Sequence, residues 1–61
     1  MRLEYDKDGY LFIVNFSVSD IKSNSEGKFV SYKDQSGFHE RKFGKYSEHM
    51  RFVNWLIEHN A

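Results

Sequence analysis

The chain predicts an α+β domain: an antiparallel four-stranded β-meander with one C-terminal α-helix packed on one sheet face. Three observations carry this. Tyr10–Val18 places apolar residues at every second position, the period of a strand. Two Asp-to-Gly segments, Asp6–Gly9 and Asp34–Gly37, separate runs rich in aromatic and β-branched residues, as hairpin turns do. From Ser47 onward the apolar spacing becomes helical. All 61 residues fit a single domain, since chains of about 50 residues or more can fold alone.

The elements follow in order. Arg2–Tyr5 alternates polar and apolar residues and reads as the first strand, 2–5. Asp6-Lys7-Asp8-Gly9 turns the chain into the strongest strand, 10–18. There Tyr10, Phe12, Val14, Phe16 and Val18 share one face, and Leu11 and Ile13 lie on the other. A strand buried on one side would be polar at 11 and 13, so its first half is apolar on both faces. Ser19–Gly27 is polar and Ser-rich, a loop by composition. Residues 28–34 and 38–43 form the second hairpin about Asp34–Gly37. Its register stays open, because three- and four-residue loops give opposite facings. The helix spans about 47–59, with Ser47 as N-cap and Glu48 at its positive end. His49, Met50, Phe52, Val53, Leu56 and Ile57 fall on one apolar arc, with Trp55 at its border.

One helix cannot cover two sheet faces. Leu11 and Ile13 are therefore expected to remain outside unless the sheet curls on itself and hides them, and exposed apolar patches tend to mark partner sites. Trp55, with Arg51 one turn before it, adds a second candidate, because Trp and Arg are enriched at binding hot spots. Leu11, Ile13, Trp55 and Arg51 are the protein-binding candidates.

Composition narrows the function further. The chain has no Cys, so it lacks a disulfide framework and thiolate metal ligands and suits a reducing compartment. No apolar run reaches the roughly 18 residues of a spanning helix, and Met1–Asp6 has no signal-peptide core. A cytoplasmic protein without membrane association is expected. Asp6-x-Asp8-Gly9 opens like a calcium loop, but Tyr10 and Ser17 stand where oxygen ligands are needed. His39, His49 and His59 do not converge on a metal. No nucleophile elbow, carboxylate pair or phosphate loop is present. No catalysis, cofactor or small-molecule substrate is expected.

Charge is balanced overall, nine Lys+Arg against nine Asp+Glu. It is not uniform: Lys28, Lys33, Arg41, Lys42, Lys45 and Arg51 give residues 28–51 a basic bias. A basic β-ribbon can enter a DNA major groove. Lys33, His39, Arg41, Lys42 and Lys45 are the nucleic-acid candidates.

Tyr32-x-Asp34-x-x-Gly37, followed by Phe43-Gly44 and a helix after Tyr46, resembles the arm-type DNA-binding domains of tyrosine integrases and the related ethylene-response-factor domains of plants. That resemblance covers about half the chain. It implies a three-stranded sheet lying in the major groove with the helix behind, and Lys33, Arg41 and Lys42 facing the groove. The first hairpin and the Ser19–Gly27 segment are additions to the pattern.

The leading expectation is a non-catalytic interaction protein that docks on a protein partner through an exposed sheet face or edge. Its size and make-up suit an inhibitor or adaptor of the kind phages and mobile elements encode. The alternative is a DNA-binding module using the second hairpin. The third is a homodimer whose own sheets cover the exposed face.

Overall fold

A computed structural model of the chain describes residues 1–24, 26 and 28–60. Among these, five antiparallel strands precede one helix: β1 (Arg2–Lys7), β2 (Tyr10–Asn15), β3 (Ser19–Asn24), β4 (Phe29–Asp34), β5 (Gly37–Lys42) and α1 (Tyr46–His59). The α+β class and the C-terminal helix are as expected. The single four-stranded meander is corrected: β1–β2 form one sheet and β3–β4–β5 another.

The first hairpin turns on Asp8 and Gly9 alone, both at positive φ, 50° and 89°. This is the turn geometry that matches strand twist in a two-residue loop. The Asp6 carboxylate accepts the Gly9 N–H at 2.9 Å. So tight a loop lets β1 run to Lys7, past the expected end at Tyr5. β2 ends at Asn15, not Val18, with one further exchange of hydrogen bonds between Met1 and Phe16, and the backbone of Asn15 turns its other side to the β4–β5 turn. Its N–H donates to the Asp34 carboxylate at 2.9 Å, and its C=O accepts the Gln35 N–H at 3.0 Å. Phe16 and Val18 still reach the core. The Asn60 side-chain amide holds Val18, accepting its N–H at 2.8 Å and donating to its C=O at 3.0 Å.

Ser19–Asn24 is a strand, which corrects the expected loop. Ile21 alone of its residues packs on the core. Ser19 opposes Lys33, but Lys22 opposes Ser31, so the ladder slips between them. The slip is a bulge, with Asp20 at φ 53°. Ser25 and Gly27, the end of the expected loop, lie outside the described residues, as does Ala61.

The second hairpin pairs Asp34 with Gly37, leaving only Gln35 and Ser36 as its loop. That fixes the register: Tyr32 opposes His39, and Lys33 opposes Phe38. β5 ends at Lys42, and the buried Phe43 continues the pairing by donating its N–H to Lys28 at 3.0 Å.

The helix starts at Tyr46 with Lys45 as N-cap, and no side chain caps it. Ser47, the expected cap, is exposed in the first turn. His49, Phe52, Val53 and Leu56 are its buried face. Ile57, expected on the apolar arc, is 59% exposed, because the helix covers the inner faces of two small sheets and the arc they occupy stops short of it. Phe52 sits at the centre. The rings of Tyr5 and Phe12 from β1–β2, Tyr32 from β4, Phe43, and Trp55 all lie 4.9–5.9 Å from it, centroid to centroid. Offset and edge-on aromatic pairs at such distances add to the burial itself.

Candidate functional site

Directly opposed residues of antiparallel strands point to the same sheet face. On β3–β4–β5 this sorts side chains into an inner set, Val30, Tyr32, Asp34, His39 and Arg41, and an outer set. The outer set lies in three cross-strand rows: Asn24, Phe29 and Lys42; Lys22, Ser31 and Glu40; Ser19, Lys33 and Phe38. Each strand thus contributes one lysine to the face that α1 does not cover. Phe38 is 71% exposed, and Phe29 is half-buried.

The lysines and rings are paired. Lys33 Nζ lies 5.6 Å from the centre of the Phe38 ring, and Lys42 Nζ 5.6 Å from that of Phe29. The two pairs cross β4–β5 in opposite senses, with Ser31 and Glu40 between them. A cation over an exposed ring is stabilised by about 0.5–1 kcal/mol, enough to bias a flexible lysine without fixing it.

Asp34 anchors this hairpin from the inner side. Its carboxylate accepts the Asn15 N–H at 2.9 Å, the Ser36 N–H at 2.8 Å and the Ser36 hydroxyl at 2.7 Å. Burial alone would raise its pKa. The hydrogen bonds from Asn15 and Ser36, with His39 beside it, outweigh that and hold the carboxyl at about 2. His39 Nε2 stands 3.2 Å from Asp34 Oδ1 and 2.9 Å from Ser36 Oγ. A nucleophilic relay needs serine and carboxylate on opposite ring nitrogens. Here both meet Nε2, and the hydroxyl proton goes to the carboxylate, so the cluster staples a turn.

The expected nucleic-acid residues therefore divide. Lys33 and Lys42 share the outer face. His39 and Arg41 point inward: His39 rests on the Tyr32 ring at 5.4 Å, and Arg41 lies 4.7 Å over the Phe12 ring with its Nε donating to the Tyr32 hydroxyl at 3.4 Å. Lys45 is exposed at the helix entrance, beyond the end of β5. The face also includes Lys22, Phe29 and Phe38, which the sequence reading did not single out. The period-two spacing 29, 31, 33 and 38, 40, 42 would have found the last two once the loop length was known.

The expected protein-binding residues also divide. Leu11 and Ile13 are 56% and 37% exposed on the outer face of β1–β2. Their cross-strand neighbours there are Asp6 and Glu4. Trp55 lies on the other side of that hairpin, half-buried among Tyr5, Phe16, Phe52 and His59. Among the described residues no cation lies over its ring. Arg51 instead borders a cleft of about 60 Å³ with Tyr5, Asp6, Lys7, Asp8, Phe43 and Glu48, far below the roughly 300 Å³ at which ligand pockets begin.

His49 is fully buried. Its Nδ1–H donates to the Tyr46 carbonyl at 2.8 Å, and its Nε2 meets no hydrogen-bond partner among the described residues. Among the described residues no cluster of three or more His, Cys, Asp or Glu side chains could hold a metal ion. Among the described residues no helix is long and apolar enough to cross a membrane.

The fold and site define a small two-sheet α+β domain with one acidic–aliphatic and one basic–aromatic outer face. No family model matches the chain, and neither a curated protein nor a solved structure is significantly similar to it.

Proposed function

We propose that this protein binds nucleic acid, laying the outer face of β3–β4–β5 against it in a non-catalytic role. One observation carries the reading: Lys22, Lys33 and Lys42, one from each strand, share a face with Phe29 and Phe38, and the helix packs behind. The chain as a whole is neutral, yet the paired rows of this face set three ammonium groups against the carboxylate of Glu40. Lysines gathered on one surface neutralise phosphates and release their counterions. The likeness to integrase-arm and ethylene-response-factor layouts supports the same face, although Arg41 faces the core here.

Fluorescence anisotropy with labelled oligonucleotides tests this. Micromolar binding is expected at about 50 mM salt and should be lost by about 200 mM. The Lys33→Ala/Lys42→Ala pair should flatten the salt slope of log K by about 1.4–1.8 with its melting temperature nearly unchanged. No binding to duplex or single strand at low salt would overturn the reading.

A second reading, docking of a protein on β1–β2, is favoured by the exposure of Leu11 and Ile13 beside Glu4 and Asp6. The partner it fits presents aliphatic side chains ringed by Lys or Arg. If a second copy were the occupant, sedimentation would give a dimer that dissociates on dilution.

A further inference from the structure

We infer that the nucleic acid taken by this face is single-stranded, with one base stacked on Phe38 and another on Phe29. The inference rests on the nucleic-acid reading above and specifies its ligand. The two rings occupy rows four residues apart on adjacent strands. Strand rise and spacing put them on the order of 14 Å apart. Stacked neighbours in a duplex are about 3.4 Å apart along each strand, so one intact helix cannot offer adjacent bases to both rings. A strand with splayed bases can.

Side-chain chemistry points the same way. Reading a duplex from its groove needs donors and acceptors on base edges, chiefly from Arg, Asn and Gln. The two aromatic side chains of this face, Phe38 and Phe29, have neither. A phenyl ring instead matches the π-face of any base, which only an unstacked base presents. Each ring has its own ammonium, Lys33 at Phe38 and Lys42 at Phe29, so a stacked base brings its phosphate beside a cation. Between the rings lie the short Ser31 and the polar Glu40, with Lys22 toward the β3 edge. The linking phosphate would pass on the Lys22 side of this middle row, away from the Glu40 carboxylate that repels it. The stacking itself is sequence-tolerant, because a phenyl ring offers a base neither donor nor acceptor.

The test compares a short oligothymidylate, an oligouridylate and a mixed-sequence duplex of equal length at one low salt concentration. Tighter binding of either single strand than of the duplex is expected. Phe38→Leu keeps an apolar side chain and removes the ring from an exposed position, so the fold should persist. It should weaken single-strand binding on the order of ten-fold and leave duplex binding nearly unchanged. Phe29→Leu should act in the same direction, less strongly. Equal binding of the two oligonucleotides assigns the contact to base and phosphate; preference for one adds the sugar 2′ position or the thymine methyl, which oligodeoxyuridylate separates, and both outcomes support the inference. Duplex binding as tight as single-strand binding, or single-strand affinity unchanged in both folded Phe variants, would overturn it while leaving nucleic-acid binding standing. Failure of all three probes would remove both.

Discussion

The two sheets bury the same kind of surface and expose opposite kinds. Inward, β1–β2 offers Tyr5 and Phe12, and β3–β4–β5 offers Val30 and Tyr32, all gathered about Phe52. Outward, β1–β2 sets Leu11 against Asp6 and Ile13 against Glu4, while β4–β5 sets Phe38 against Lys33 and Phe29 against Lys42. Folding explains the inner faces completely, since both serve one core. It explains neither outer face, because an exposed sheet surface is stable with many polar residues. The contrast is why the proposed function is sought on the outer faces. It also separates an aliphatic strip flanked by Glu4 and Asp6, with Arg2 at its end, from an aromatic strip flanked by lysines.

The largest perturbation should remove both faces together. Phe52→Ala deletes the ring that touches both sheets and should cost about 3–5 kcal/mol, a large share of the stability of so small a domain. Urea denaturation would show the midpoint collapse. Retained stability would mean that the sheets hold together without the helix.

A smaller effect should come from pH, at the carboxylate that ties the second hairpin to β2. The Asp34 carboxyl is held at about 2 in the folded chain, against about 3.9 when unfolded. Its pKa is depressed, so its contribution is present in full above about pH 4 and lost as pH falls toward 2, on the order of 2–3 kcal/mol. Asp34→Asn should lower the urea midpoint at neutral pH and lose the part of the acid dependence that lies between about pH 4 and 2. An acid profile matching the unmodified chain would show that Asp34 is not its source.

His49→Leu should cost little or raise stability by up to about 1 kcal/mol, since it removes the unpartnered Nε2 along with one hydrogen bond. Thermal unfolding measures it; a loss above about 2 kcal/mol would mean that Nε2 has a partner in solution. The smallest effect should come from the aliphatic strip. Ile13→Ser should leave stability within about 0.5–1 kcal/mol and nucleic-acid binding unaltered. A change in oligonucleotide affinity would join the two outer faces into one surface.

Local chemistry made several parts of this fold legible. Asp8-Gly9 marks its turn because both residues tolerate positive φ, and the helix shows in the spacing of Phe52, Val53 and Leu56. Exposure of Leu11 and Ile13 followed from the count of apolar faces against covering helices. β3 was not legible: an edge strand with one inward apolar residue, Ile21, and a bulge at Asp20 has the composition of a loop. That omission hid Lys22. The positions of Phe38, His39 and Arg41 depended on a loop one or two residues shorter than expected, and a one-residue slip exchanges every side chain between faces. Ser47 suits a cap chemically, but the chain enters the helix one residue before it.

Asn60 meets Val18 as the backbone of a neighbouring strand would, offering one acceptor and one donor to the same residue. The junction between the sheets is where β2 has ended and β3 has not begun, and its peptide groups would otherwise be an open template for another chain. An extended segment cannot add there without first displacing a side chain that reaches back 42 positions. The amide of Asn60, from beyond the helix, thus covers the peptide groups of Val18 at this seam, and Asn60→Ala would leave them open to pairing with another chain.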